Sequence, residues 1–182
     1  MASILCIGAP GSPSPPTFEQ PFEMLDACHD RVRRMLGLLG KLQAHVAEHG
    51  AGEQARDAAR DVMRYFDLAA PQHHLDEELH VFPRLEAHAD PAVRAAVARL
   101  RADHGAMKEG WAAARDVLQR LQAGQLQALD DVATRTLRGF AALYDGHLRV
   151  EEELAFPAAA SAMEPDALRA MGEEMGRRRG VR

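Results

Sequence analysis

Residues 73–83 read His73-His74-Leu75-Asp76-Glu77-Glu78-Leu79-His80-Val81-Phe82-Pro83. Residues 147–157 read His147-Leu148-Arg149-Val150-Glu151-Glu152-Glu153-Leu154-Ala155-Phe156-Pro157. Each stretch sets a glutamate four residues after a histidine, a second glutamate directly behind it, and Phe-Pro at the same distance further on. Residues four apart share one face of a helix. His73 with Glu77, and His147 with Glu151, therefore each present an imidazole and a carboxylate to one side. The shared spacing makes the two stretches equivalent halves of one arrangement.

The chain around them is helical throughout. Segment A, about Phe18 to His49, carries Phe22, Leu25, His29, Val32, Leu36 and Leu39 at spacings of three and four, the seam of a helix packed on helices. Thr17 is its expected N-cap, with Gln20 at the capping-box position. Gly37 and Gly40 weaken it locally. Segment B, about Glu53 to His88, aligns Val62, Phe66, Ala69, His73, Glu77 and Val81. Pro71 predicts a kink or break just before His73, and Pro83 a second one. Segment C opens at Asp90-Pro91, a cap followed by proline at the first helical position. Its stripe includes Val93, Val97, Leu100, His104, Met107, Trp111 and Leu118. Segment D, about Gln125 to Ala160, shows Leu129, Val132, Phe140, Leu143, His147, Glu151 and Leu154. A short helix follows, about Pro165 to Met175. Short connections force antiparallel neighbours, so the expected fold is all-α, an up-down-up-down four-helix bundle. Residues 1–17, rich in Pro, Gly and Ser, are expected to form a disordered tail. Residues 18–160 form the bundle, and 161–182 a short C-terminal helix with a basic tail.

His29, His73, His104 and His147 fall one to a segment, each on the apolar stripe. Counting outward from the turns at about 1.5 Å per residue puts the four imidazoles within roughly one helical turn of the same height. A single histidine on an apolar stripe is usually an ordinary core residue, and one His-x-x-x-Glu pair is common. Two such pairs on alternate helices, with a histidine on each of the others, form a different constellation. Burying four imidazoles and two carboxylates without a cation would be very costly. The candidate metal ligands are therefore His29, His73, Glu77, His104, His147 and Glu151. His74 forms a second pair with Glu78, about 100° around the helix, and is a candidate extra ligand. The spacing does not say which histidine serves which ion. His80 is expected at the core boundary. His45, His49 and His88 are expected in solvent, and Tyr144 lies one turn before His147. Gly105 and Gly146 flank ligands.

At these residues the sequence resembles the hemerythrin-like, or HHE cation-binding, family. The resemblance rests on His29, on the two His-x-x-x-Glu-Glu blocks with their Phe-Pro, and on Asp103-His104. It implies a four-helix bundle around a non-heme di-iron centre: two iron ions, Fe2+ or Fe3+, with a bridging oxo or hydroxo group, zinc or manganese being substitutes. Lys108 stands where oxygen-carrying members have a second third-helix histidine, and Glu151 lies in His-x-x-x-Glu rather than in the longer His-to-Asp spacing. Both departures resemble the bacterial and F-box iron-sensor branches, which use four His and two bridging Glu. The implied functions are binding or sensing of O2 or NO, an enzymatic role in nitrosative or oxidative stress (reduction of NO or peroxide, repair of iron–sulfur centres), or iron sensing and handling.

Charge and composition bound the rest. The chain has 182 residues, 5% aromatic, with a formal charge of -5. No basic stripe with interleaved aromatics appears, so nucleic acid is not an expected partner. Arg177, Arg178, Arg179 and Arg182 read as a solvated tail. No apolar stretch is long enough to span a membrane, and the N-terminal run makes a poor signal peptide. Cys6 and Cys28 belong to no metal-binding spacing and suit a reducing cytoplasm. A homodimer is left open, and no redox partner is identified.

Overall fold

A computed structural model of the chain describes residues 16–181. The tail expected over residues 1–17 lies almost wholly outside the described residues, as does Arg182. The described residues are all-α. Helix α1 spans Pro21–His49 and α2 spans Glu53–Asp76. A widened π turn, Glu77–Val81, leads directly into α3, Phe82–Glu86. Helix α4 is Pro91–Gln122 and α5 is Asp131–Val150. A second π turn, Glu151–Ala155, leads into α6, Phe156–Ser161. Helix α7, Pro165–Arg178, crosses one end. α1 packs on α2, α2 on α4, α4 on α5, and α5 closes against α1. This is the up-down-up-down bundle.

The helix ends follow local chemistry, with two corrections. Asp90 caps α4, its side chain accepting from the Ala92 N–H at 2.8 Å, with Pro91 next. Helix α1 begins at Pro21, not at Thr17. The Thr17 hydroxyl accepts from the Glu19 N–H at 3.3 Å and closes a turn before the helix. Proline at the first position, where an N–H would go unbonded, is what starts α1. Gly50, at φ 77°, ends it in a conformation that a side chain would strain. Helix α5 begins at Asp131 rather than near Gln125. Asp130 caps it, accepting from the Ala133 N–H at 2.7 Å. Val132, read as core, therefore lies in an exposed first turn, and Leu129 sits in the loop.

Pro71 does not break its helix; α2 runs through it. Pro71 is exposed, so water can serve the carbonyl it leaves unbonded. The ladder changes further on. The N–H of Phe82 bonds the carbonyl of Glu77, five residues back, and the N–H of Phe156 bonds that of Glu151. Pro83 and Pro157 come next. A proline ring clashes with the carbonyl four residues before it, and a π turn moves that carbonyl away. The helix thus passes each Phe-Pro without ending, with a widening at each glutamate.

Helix α7 packs over the end of the bundle that holds α3 and α6. A Cβ on Gly172 would come within 1.8 Å of the Phe18 carbonyl oxygen, so only glycine allows that approach. Two of the arginines expected in a solvated tail are instead held by the bundle. Arg178 and Arg179 both bind the carboxylate of fully buried Asp76, Arg179 at 2.6 Å. Arg178 also holds Glu174 at 2.6 Å. Arg177 is exposed.

The apolar core comes in two pieces. One includes Val32, Leu39, Phe66, Leu118, Leu137 and Phe140. The other includes Leu25, Phe82, Leu85, Leu100, Phe156 and Met171, beneath α7. Between them lies a layer of buried histidines and glutamates.

Candidate metal centre

That layer contains all six candidate ligands. His29, Glu77 and Glu151 are 0% exposed, His73 and His147 2%, and His104 6%. The π turns begin at Glu77 and Glu151, so the widened ladder delivers both carboxylates into the layer. His29 Nε2 lies 3.2 Å from Glu151 Oε2 and 4.0 Å from Glu77 Oε1. His73 Nε2 lies 3.2 Å from that same Glu77 oxygen. His104 Nε2 is 3.4 Å from Glu77 Oε2 and 3.9 Å from Glu151 Oε1. His147 Nε2 is 2.9 Å from Glu151 Oε1. Each carboxylate therefore turns one oxygen to the His29–His73 pair and the other to the His104–His147 pair. The donor atoms of His29, His73, Glu77 and Glu151 lie within 4.8 Å of one another, as do those of Glu77, His104, His147 and Glu151. The geometry groups His29 with His73 and His104 with His147.

Close approach here is not hydrogen bonding. The four Nε2 atoms and all four oxygens of Glu77 and Glu151 are buried without a hydrogen-bond partner among the described residues. An unsatisfied buried polar group costs about 1–3 kcal/mol. Eight of them reach the order of a domain's whole stability, about 5–15 kcal/mol. Their donors converge in two groups of two imidazoles and two carboxylate oxygens, a set that suits a divalent first-row metal ion. The residues present fit two cations.

A second ring of carboxylates holds the imidazoles. His29 Nδ1 donates to Glu152 at 2.8 Å, and Arg33 grips that glutamate at 2.7 Å. His104 Nδ1 donates to Glu78 at 2.9 Å, and His147 Nδ1 faces Asp103 at 3.4 Å. Such partners fix the tautomer, leaving the Nε2 lone pair for a metal. Glu78, Glu152 and Asp103 stand in the sequence motifs with no role evident there, and the structure sets each against a buried histidine. The repeated Glu-Glu doublet was the available signal. In each block the first glutamate enters the layer and the second grips a histidine of another helix. The Phe of each block follows suit: Phe156 stacks on His29 at 5.2 Å, and Phe82 packs on His104 at 5.3 Å.

The electrostatics follow from burial and crowding. Burial, then the charge of Glu151, pushes the Glu77 carboxyl well up. Burial would also raise Glu151, but His104, His147 and His29 beside it hold it well below the usual range. Burial and neighbouring His29 push His73 well down. Burial would lower His104, yet Glu151, Glu77 and Glu78 outweigh it and raise it to about 10. His74 is pushed down to about 3 by burial and by His104.

The other singled-out residues disperse. His80 bonds Glu174 of α7 at 2.7 Å. His45 stacks on His49 near the far end of α1, and His88 lies beside the α4 cap, accepting from the Asp90 N–H at 3.1 Å. Tyr144 is a buried core residue against Phe66 and Phe140. A Cβ on Gly105 would meet nothing within 4 Å, and one on Gly146 would meet only the Arg99 guanidinium, at 3.1 Å. No helix among the described residues is long and apolar enough to cross a membrane.

A relative from Haemophilus influenzae, described as an uncharacterized protein, is 34% identical over 167 residues, 91% of this chain and 94% of its own length. The sequence profile of the hemerythrin HHE cation binding domain matches residues 20–159. With that match across the whole bundle, and a buried layer fitted to two cations, the chain belongs to the hemerythrin HHE cation-binding family.

Proposed function

We propose that the chain is a non-heme di-iron protein that binds or senses O2 or NO at a carboxylate-bridged centre. One observation carries the reading: Glu77 and Glu151 each turn one oxygen to either histidine pair. His29 and His73 would hold one ion, His104 and His147 the other, and the two glutamates would span them. Imidazole and carboxylate suit iron, with manganese and zinc as competitors. Ferrous ions with an open coordination position supply the chemistry for binding a diatomic ligand.

The chain's own contribution is positioning and charge. Glu152, Glu78 and Asp103 orient three of the imidazoles. Burial excludes bulk water, and the carboxylates offset the charge of two cations. Anaerobic loading with Fe(II), followed by O2, NO and peroxide in turn under optical and Mössbauer spectroscopy, tests the reading. A reversible O2 or NO adduct is the expected result. Catalytic turnover would favour the enzymatic reading, and rapid irreversible oxidation with loss of iron the iron-handling one.

A further inference from the structure

The aromatic residues are sorted between the two pieces of the core. The chain has one tryptophan, two tyrosines and six phenylalanines. The piece beneath α7 takes Phe18, Phe22, Phe82 and Phe156 and, among the described residues, no tyrosine or tryptophan. The other takes Trp111, Tyr65 and Tyr144, together with Phe66 and Phe140. Indole and phenol give up a single electron far more readily than a benzene ring. The readily oxidised rings therefore all lie on one side of the histidine–glutamate layer.

These five rings form one connected cluster. Phe66 is its hub, with centroids 5.1 Å from Tyr65, 5.1 Å from Trp111, 5.0 Å from Phe140 and 5.8 Å from Tyr144. Phe140 meets Trp111 at 5.2 Å and Tyr144 at 5.4 Å. The inner end is Tyr144, 2% exposed. It lies one turn before His147, where residues three apart are neighbours. Burial and Tyr65 push its phenol up, and the charges of Glu151 and Glu77 add to that push. The outer end is Trp111, partly exposed. Its indole N–H donates to Asp67 Oδ1 at 3.0 Å. Arg115 Nε holds both oxygens of that carboxylate, at 2.9 and 3.0 Å. An indole that loses an electron becomes acidic at nitrogen, and here a fixed carboxylate stands ready for that proton.

We infer that Trp111 is a port for single electrons, and that the aromatic cluster carries them between a one-electron carrier at the surface and a metal ion in the layer. This rests on the di-metal reading above. An oxidised ion gains one electron and Trp111 loses it, the Nε1 proton passing to Asp67. A reduced one-electron carrier protein then gives one electron to the indolyl radical, and Asp67 returns the proton. The net change is one electron from carrier to ion, with no proton left over.

The test runs the same path in reverse. The full chain is loaded anaerobically with Fe(II), or with Zn(II), which has no redox change, and elemental analysis verifies two ions. Dibromide radicals made by pulse radiolysis, which prefer tryptophan, then oxidise Trp111, and the indolyl absorbance is followed in time. With iron the radical should decay severalfold faster than with zinc, at a rate independent of protein concentration, as a ferrous ion supplies the electron. Equal decay with both metals would overturn the relay and leave the di-metal reading intact. Failure to take two ions would instead remove the reading beneath it. Phe66→Leu takes out the hub and should slow the iron-dependent decay severalfold at unchanged helicity and metal content; an unaltered rate would overturn the route. Asp67→Asn should also slow it severalfold, because the returning proton must then come from solvent. An unaltered rate there would overturn the part given to Asp67.

Discussion

The first His-x-x-x-Glu-Glu block and the second trace the same backbone path, π turn included, yet they are set differently in the molecule. Where the first has His74, Asp76 and His80, the second has Leu148, Val150 and Leu154. The shared positions build the buried layer. The unshared ones connect it outward: Asp76 and His80 to Glu174 and Arg178 of α7 and to Arg179 just beyond it, and His74 to a surface groove between α2 and α4. The repeat thus specifies the centre, and departures from the repeat specify what surrounds it.

The largest effect should be common to both blocks. His73→Ala and His147→Ala, or Glu77→Ala and Glu151→Ala, should each weaken metal binding by more than about 100-fold, beyond what loss of an outer partner does. His45→Ala and His88→Ala should leave it unchanged. Metal titration with elemental analysis decides. A large loss in one block beside none in the other would mean that the two do not share a site.

Next comes metal itself. A ligand that binds only the native state stabilises it by about 4 kcal/mol at a thousand times its dissociation constant. Verified metal-free protein should stay largely helical but melt several degrees below the loaded form. Hydrogen exchange should quicken at both π turns. Superimposable melting curves would place the metal outside the core.

A smaller effect should separate the blocks. Asp76→Val copies Val150 and strands two partly exposed arginines, their side chains 19% and 22% exposed. Breaking a buried pair costs about 3–5 kcal/mol. Discounted for solvent on the arginine side, the loss should be about 2 kcal/mol, or about 4–8 °C. Exchange should rise in α7 and in the first π turn, and not in the second. Equal rises in both would show that α7 supports the bundle generally.

The smallest effect is one of pH. Arg178 holds the Glu174 carboxyl below its ordinary 4.5; burial pushes the other way, and His80 adds to the lowering. A depressed folded value means the contribution is present above that ordinary value and is lost as pH falls through the folded one. Acid should therefore loosen α7 ahead of the bundle. Hydrogen exchange followed down to about pH 3 reads this, and simultaneous loss of α7 and the bundle would contradict it.

What was legible in the sequence was what repeats or lies within a few residues. The helical stripes, the Asp90-Pro91 cap and the six buried candidate ligands are all local patterns. The π turns left only Phe-Pro as a trace, because a proline read alone predicts a break rather than a widened turn. Glu78 and His104 lie 26 residues apart, and Glu152 and His29 lie 123 apart. Arg178 and Asp76 are separated by 102. Such partners follow from topology, which is why an arginine run resembled a solvated tail. The start of α5 was misplaced because hydrophobic spacing continues through a loop that packs on the core.

The layer of histidines and glutamates has a mechanical consequence as well. It interrupts the apolar contacts that make a small bundle unfold as one unit, leaving a larger block on one side and a smaller, α7-covered block on the other. Cooperativity is thinnest across such a seam. Helices α1 and α4 run through both blocks, so what can loosen at the seam is the packing between helices, with each helix itself kept. Two cations held there would tie the helices together at the seam, so that the bundle would open only as a whole.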